Sequence, residues 1–208
     1  MKKISLFLTS LLIIVSIHFT FALTRCDLNI SKQEPITSLK KTKEKNNSFT
    51  DSRDGKTYKT IKVGTQTWMA ENLNYNTVSG SWCYDNSSSN CNKYGHLYDW
   101  QTARSACPSG WRLPSKDDFK ILLSNTGDST DAYNALKEGG SSGFSALLGG
   151  WRDPDGTFSH IGYYNYWWSL SEKDSDSVWY MGMFYYNQEA SMDISLKKLG
   201  FSVRCLQN

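Results

Sequence analysis

No C-x-x-C pair occurs anywhere in the 208 residues, which argues against a thioredoxin-type redox motif and a zinc ribbon. The chain also lacks G-x-S-x-G, H-E-x-x-H and a glycine-rich phosphate loop, so the common signatures of hydrolases, metalloproteases and nucleotide-binding enzymes are missing. Histidine is scarce, at three residues. Neither sign of charge dominates: 23 basic and 20 acidic side chains leave a formal +3. A nucleic-acid partner, which needs a broad cationic field, is not expected. No repeat of solenoid period is present.

Long apolar runs are missing too, except at the start. "MKKISLFLTSLLIIVSIHFTFA" has a basic head at Lys2 and Lys3, an apolar stretch from Ile4 to Ile17, and small residues before a cut after Ala22. That is the plan of a secretory signal, and it is too short to span a bilayer comfortably. The mature protein is expected to be exported, either secreted or held at the cell envelope. Cys26 follows closely, but Arg25 stands where a lipoprotein signal puts a small residue, which argues against lipid attachment there.

Residues 23–50 contain no Trp and no Tyr and are rich in Lys, Asn, Ser and Thr. Such a segment buries too little apolar surface to offset the entropy of ordering, so it reads as a flexible polar spacer. All eight Trp and all twelve Tyr lie in 51–208, a length suited to one domain with an aromatic core and many loops.

That domain holds Cys83, Cys91, Cys107 and Cys205. An even number in an exported domain points to disulfides, and four thiols permit three pairings. Cys83 and Cys91 flank the polar, turn-forming "YDNSSSN", which makes a local bridge the natural choice and leaves Cys107 for Cys205.

Local patterns indicate α+β structure. "DGKTYKTIKVGTQTWMAENL" (54–73) contains two alternating β-prone runs about Gly64-Thr65, the pattern of a hairpin. Leu97, Trp100 and Ala103 at helical spacing predict a short helix within 94–107, stopped by Pro108. Ser115 can cap a second helix, with Asp117 and Asp118 in its first turn and Phe119, Leu122 and Leu123 on one face. Residues 129–144 are ambiguous between short helix and irregular chain. A β-prone run covers Val178 to Tyr186, and a terminal strand is expected through Phe201, Val203 and Cys205.

The motifs "DSRDGKTYKTIKVGTQTWMAENLNY", "WCYDN", "CNKYGHLYDW", "CPSGWRLPS", "FSALLGGWRDPDGTF", "YWWSLSE" and "GFSVRC" follow one another from about Asp51 to Cys205. In this order they resemble the Fibrobacter succinogenes major paralogous domain family, whose name records abundance in a genome rather than an activity. "RLPS" before a helix, "GGWRD" and the "GFSVRC" ending are also similar, more distantly, to the formylglycine-generating enzyme group and the C-type lectin-like fold. That similarity implies an α+β domain of two short helices and small twisted antiparallel sheets, with adjacent N- and C-terminal strands. A Cys107–Cys205 bridge suits such an arrangement.

An enzyme of the formylglycine-generating (sulfatase-modifying) type would need reactive, copper-binding cysteines, and all four domain thiols have structural partners to join. His96 and His160 stand alone in sequence and read as packing residues. "DSRDG" (51–55) and "DPDG" (153–156) lack the further ligands of a calcium loop and read as tight turns. No catalysis, metal or cofactor is expected. What remains is binding: Trp151, Arg152, Asp153, Tyr166, Trp167 and Trp168 concentrate aromatic and polar groups suited to carbohydrate or a cell-surface protein. Neighbouring Trp167 and Trp168 point to opposite faces of a strand, so one is expected in the core and the other nearer solvent. A purely structural surface protein is the remaining alternative.

Overall fold

The computed structural model describes residues 47–208. The signal at 1–22, Cys26 and most of the 23–50 spacer lie outside the described residues. The last part of that spacer does not behave as one: β1 (Ser48–Thr50) pairs antiparallel with β2 (Thr57–Val63), Phe49 opposite Tyr58. Its Phe49 ring packs on Trp111 at 5.3 Å, so a lone aromatic residue brings the edge strand into the domain. Asp51 closes the intervening turn. Its fully buried carboxylate accepts from the Arg53 backbone N–H at 3.0 Å and the guanidinium at 2.7 Å.

The expected hairpin is present. β2 runs into β3 (Gln66–Met69) through Gly64-Thr65, with Val63 opposite Gln66. Gly64 has φ +59, and a Cβ there would lie 2.5 Å from the Asn125 side chain, so only glycine fits this turn.

Helices are more numerous than the two expected. α1 (Ser88–Tyr94) and a preceding 3-10 turn (Tyr84–Asn86) occupy the segment read as a polar loop. α2 (Trp100–Ala106), α3 (Lys116–Ser124) and α4 (Ser129–Leu136) complete the set of α-helices among the described residues. No helix among these residues is long and apolar enough to cross a membrane. Leu97, counted above as helical, lies in a strand, β5 (Leu97–Tyr98), and α2 starts only after Asp99, whose carboxylate accepts from the Thr102 N–H. Side-chain burial is alike in both conformations, so Leu97 did not distinguish them.

α3 starts as its sequence requires. The Ser115 hydroxyl accepts from the Asp118 N–H at 3.1 Å, while Asp118 accepts from the Ser115 N–H at 2.7 Å, a reciprocal capping box. Arg112 of β6 (Trp111–Arg112) reaches the same carboxylate at 2.5 Å and 2.9 Å.

The other strands are β4 (Ser81–Trp82), β7 (Trp151–Arg152), β8 (Phe158–Ser159), β9 (Tyr164–Glu172), β10 (Ser177–Phe184), β11 (Glu189–Leu196), β12 (Phe201–Ser202) and β13 (Leu206–Gln207). One sheet has the order β1-β2-β3-β13-β6, a second β11-β10-β9-β12-β5-β4, and β7-β8 forms a small hairpin. Pairing is antiparallel except for β12 against β9. The expected terminal strand is thus divided. β12 enters the second sheet between β9 and β5, and β13 enters the first between β3 and β6.

This division places β9 and β10 between two cores. Trp168, Val178, Tyr180 and Phe201 pack with Tyr58, Met69 and Tyr98 on one side. Trp167, Met181 and Met183 pack with Trp68, Phe119, Leu122 and Leu136 on the other. The opposite-face rule holds for the Trp pair, but the solvent expectation is corrected: both rings are fully buried. Neither face of the strand is open to solvent at this pair.

Cys83 is bonded to Cys91 and Cys107 to Cys205, with sequence separations of 8 and 98. Removing the long bridge by a paired Cys107→Ala/Cys205→Ala exchange is expected to cost about 4–5 kcal/mol in denaturant unfolding, against about 2–3 kcal/mol for the short one. Asp118 generates an acid test. Burial alone would raise its pKa, but hydrogen bonds from Arg112 and Ser115 hold it at about 2, below the ordinary 3.8. Its stabilisation is complete above about pH 4 and is lost as pH falls toward the folded value. Asp118→Ala should cost about 2 kcal/mol at neutral pH and remove that acid-dependent loss, read by thermal unfolding across pH.

Candidate functional site

Arg204 lies between the two sheets and is fully buried. Its Nε and Nη2 donate to Asn72 Oδ1 at 3.1 and 2.7 Å, and its Nη1 donates to the Phe144 carbonyl. The guanidinium carbon is 4.2 Å from the Phe144 ring centroid and 5.6 Å from that of Trp167. Burial lowers Arg204 to about 9, with the charge of Glu71 opposing the shift, so the group stays cationic at neutral pH. Asn72 Oδ1 also accepts from Trp167 Nε1 at 2.8 Å, and Asn72 Nδ2 donates to the Tyr94 carbonyl at 2.8 Å. Ser202 and Asn165 extend the network to the Gly149 N–H.

Asn72 carries this network to the wall of a surface trough. Asn72 and the chain on both sides of Phe144 line a cavity of about 500 Å³, with Lys56, Lys59 and Lys93 at its rim and Asn74, Asn92 and Ser145 along its walls. A second cavity of about 290 Å³ shares Lys93, Glu138 and Leu147 as a common wall and continues to Tyr94, Tyr133 and Tyr185. The first part presents amide, hydroxyl and ammonium groups together with the carboxylates of Glu71 and Glu138. The second adds three tyrosine rings among aliphatic and charged side chains.

The far end opens onto an exposed tyrosine cluster. Tyr163, Tyr185 and Tyr186 are 44%, 53% and 68% exposed. Tyr163 stacks on Tyr186 at 5.2 Å and 6° between planes, and Tyr185 meets both edge-on at 6.1 and 5.8 Å. The Tyr185 N–H donates to the Tyr163 carbonyl at 2.9 Å, which holds the β10 end against the segment entering β9. Tyr185 and Tyr186 were not singled out from sequence. The signal was there: two adjacent tyrosines at the tip of a hairpin that continues "NQ", where polar turn residues are the rule.

The structure distributes the sequence-predicted residues differently. Trp151 is half-buried, stacked on His160 at 4.5 Å and 8°, with its Nε1 donating to the Asp153 carboxylate at 3.1 Å. Asp153 also accepts from the Ser159 hydroxyl at 3.2 Å, which closes the β7–β8 hairpin. Arg152 lies 4.1 Å over the Trp82 ring, on another part of the surface. Tyr166 is wedged between Trp151, Tyr180 and Phe201 at 4.9–5.2 Å. Trp167 and Trp168 are enclosed, and their Nε1 groups donate to Asn72 Oδ1 and the Tyr98 carbonyl. Of the six, Trp151 meets both Tyr166 and Asp153, while the Arg152 side chain and the two enclosed tryptophans lie apart from them. Trp151 connects through His160 and Tyr164 to Tyr186, so it supports the cluster from behind.

An open groove of about 740 Å³ lies beside Arg152, over Trp82 and Trp100. Its rings are already covered: Arg152 over Trp82, and Arg104 and Lys197 over Trp100 at 4.9 and 4.7 Å. It offers charge but few free ring faces.

His96 lies beside Gly95 and Asn74, which line the trough. Its Nδ1 is 2.7 Å from Asn74 Oδ1, and its Nε2 is 3.8 Å from Cys83 Sγ. Burial, reinforced by the charge of Lys56, brings it down to about 4, so the imidazole is neutral at physiological pH.

A disulfide-bonded α+β domain with two cores about a shared sheet is the class these features define. The chain belongs to the Fibrobacter succinogenes major domain family, whose model matches residues 61–207. No curated protein and no solved structure gives a significant match.

The buried Arg204 network makes a specific prediction. Arg204→Lys retains the charge but supplies one nitrogen where the planar fork supplied three, so it cannot serve both the Phe144 carbonyl and Asn72 Oδ1, which then keeps only its bond from Trp167. A loss of about 2 kcal/mol is expected in denaturant unfolding, together with weakened near-ultraviolet circular dichroism from Trp167.

Proposed function

We propose that this domain is an exported, non-catalytic recognition module that binds carbohydrate along the trough. The supporting observation is the cluster of Tyr163, Tyr185 and Tyr186, half-exposed and packed on one another, of which Tyr185 lines the end of a trough whose other part carries amide and hydroxyl groups. Rings already ordered by mutual stacking lose little entropy on contact. Their faces suit the apolar faces of sugar rings, while Asn74, Asn92 and Ser145 suit hydroxyls.

Three features support a binding rather than a catalytic role. All four cysteines among the described residues are in disulfides. His96 and His160 are 2.7 Å and 4.5 Å from their nearest partner groups, an amide and an indole ring, and neither has a carboxylate to orient it. The Asp118 carboxylate is committed to Arg112 and Ser115. The C-type lectin-like reading of the motifs is supported by β13, which seats the C-terminus beside the N-terminal hairpin, and by the Cys107–Cys205 bridge next to it. Both disulfides are compatible with an oxidising, extracellular setting.

Calorimetric titration against a panel of neutral and acidic polysaccharides tests the reading. Tyr186→Ala and Tyr163→Ala are expected to weaken binding about tenfold or more while leaving Tm nearly unchanged. Trp151→Ala is expected to lower Tm as well, because its indole supports the hairpin. If no glycan binds, or binding persists in both tyrosine variants, carbohydrate recognition at this trough is wrong.

A further inference from the structure

We propose that Cys83, Cys91 and His96 form a redox-gated metal site. With the 83–91 bridge reduced, the two thiolates and His96 Nε2 take up a zinc-type cation. Closing the bridge expels it. The proposal is independent of the glycan reading.

Its first support is proximity. One ligand atom from each of the three residues lies within 4.8 Å of the others, the one such group of His, Cys and acidic side chains found among the described residues. They come from a short stretch, C-x7-C-x4-H. Cys83 precedes the 3-10 turn, Cys91 lies on α1, and His96 follows Gly95, which ends α1 at φ +78. A tetrahedral zinc, with bonds of about 2.3 Å to sulfur and 2.0–2.1 Å to nitrogen, sets S···N near about 3.5 Å and S···S near about 3.8 Å. Cys83 Sγ and His96 Nε2 are already 3.8 Å apart. What remains is separation of the two sulfurs, which breaking their bond allows, and placement of Cys91 Sγ, already within 4.8 Å, at ligand distance from the same centre.

The second support is an imidazole nitrogen without a donor. The Asn74 amide oxygen accepts from His96 Nδ1, which leaves Nε2 with a lone pair directed at Cys83 Sγ. A disulfide sulfur carries no proton to give. His96 is only 7% exposed, so water does not readily serve that nitrogen, and a buried acceptor with no donor is costly. A metal ion satisfies it. The Asn74 contact is also what an outer-sphere partner provides to a metal-bound histidine, fixing the tautomer and the ring plane.

Access is the third. Cys91, together with Asn74 and Gly95 beside His96, lines the 500 Å³ cavity, which gives a cation a route to the site through the Cys91 side. The other bridge lacks these features: Cys205 is fully buried in a core.

In the loading step a dithiol reductant attacks the bridge and leaves as its own cyclic disulfide. Two electrons pass to the protein sulfurs, and a divalent cation then displaces the two thiol protons. In the reverse step a disulfide or peroxide oxidant takes the same two electrons, the sulfurs rejoin, and the cation is released.

The test uses the full mature chain, oxidised, and the same chain after mild dithiol treatment, with alkylation mapping to identify the opened bridge. Cobalt(II) is the probe, because thiolate ligation gives a charge-transfer band and tetrahedral geometry gives intense visible bands. The reduced protein is expected to bind one cobalt with both signatures, lose it to zinc, and release it on re-oxidation. The oxidised protein should show neither signature. His96→Ala should abolish the tetrahedral spectrum, and Asn74→Ala should weaken affinity about 10–100-fold. Equal cobalt binding by reduced and oxidised protein overturns the proposal. So does an unchanged spectrum in His96→Ala, or loss of near-ultraviolet dichroism when only the 83–91 bridge is opened.

Discussion

Arg204 joins the two halves of this domain. Its guanidinium lies where the C-terminal segment leaves one sheet and enters the other, and it binds an amide oxygen from the β3 side and a carbonyl from the loop beyond α4. No carboxylate is in hydrogen-bond contact with it. Neutral acceptors and two ring faces offset the desolvation instead. The chain before it, Phe201-Ser202, can then complete the second sheet, and the chain after it, Cys205 to Gln207, can bridge to Cys107 and complete the first. A single planar cation thus sets the spacing between two cores.

The surface follows from that arrangement. Asn72 points its oxygen inward to Arg204 and Trp167 and also lines the trough, so one residue joins the buried network to the surface. Its two ends differ chemically for local reasons. Lysines and amides come from the β2–β3 hairpin and α1. The tyrosines come from the ends of β9 and β10, where the strands outrun the cores that bury their middles. The short disulfide and His96 lie just behind one wall, so the proposed recognition surface and the proposed metal chemistry share a boundary without sharing residues other than Asn74 and Cys91.

Where a pattern needs only its neighbours in sequence, reading it from sequence worked. Ser115 and Asp118 are three residues apart and cap one helix in any surroundings. Gly64-Thr65 turns a hairpin because glycine reaches a positive φ that other residues avoid. The short Cys83–Cys91 loop is equally local, although the helix inside it escaped notice because serine and asparagine favour turns and helix starts alike. Leu97 was misplaced because a buried leucine fits a strand and a helix equally.

Alternation told that Trp167 and Trp168 face opposite ways. It could not tell that both sides are covered, since Tyr58, Met69, Trp100 and Ala103 pack on one face while Trp68 and residues of α3 and α4 pack on the other. For the same reason the residues rich in aromatic character were not the exposed ones: composition counts rings, and only the packing decides which remain uncovered. The sequence by itself determined the local turns, the capped helix, the cysteine pairs and the membership of an aromatic α+β family. The tertiary structure decided which tyrosines face solvent, which cation is buried and which histidine lacks a donor, because these depend on contacts up to 132 residues apart.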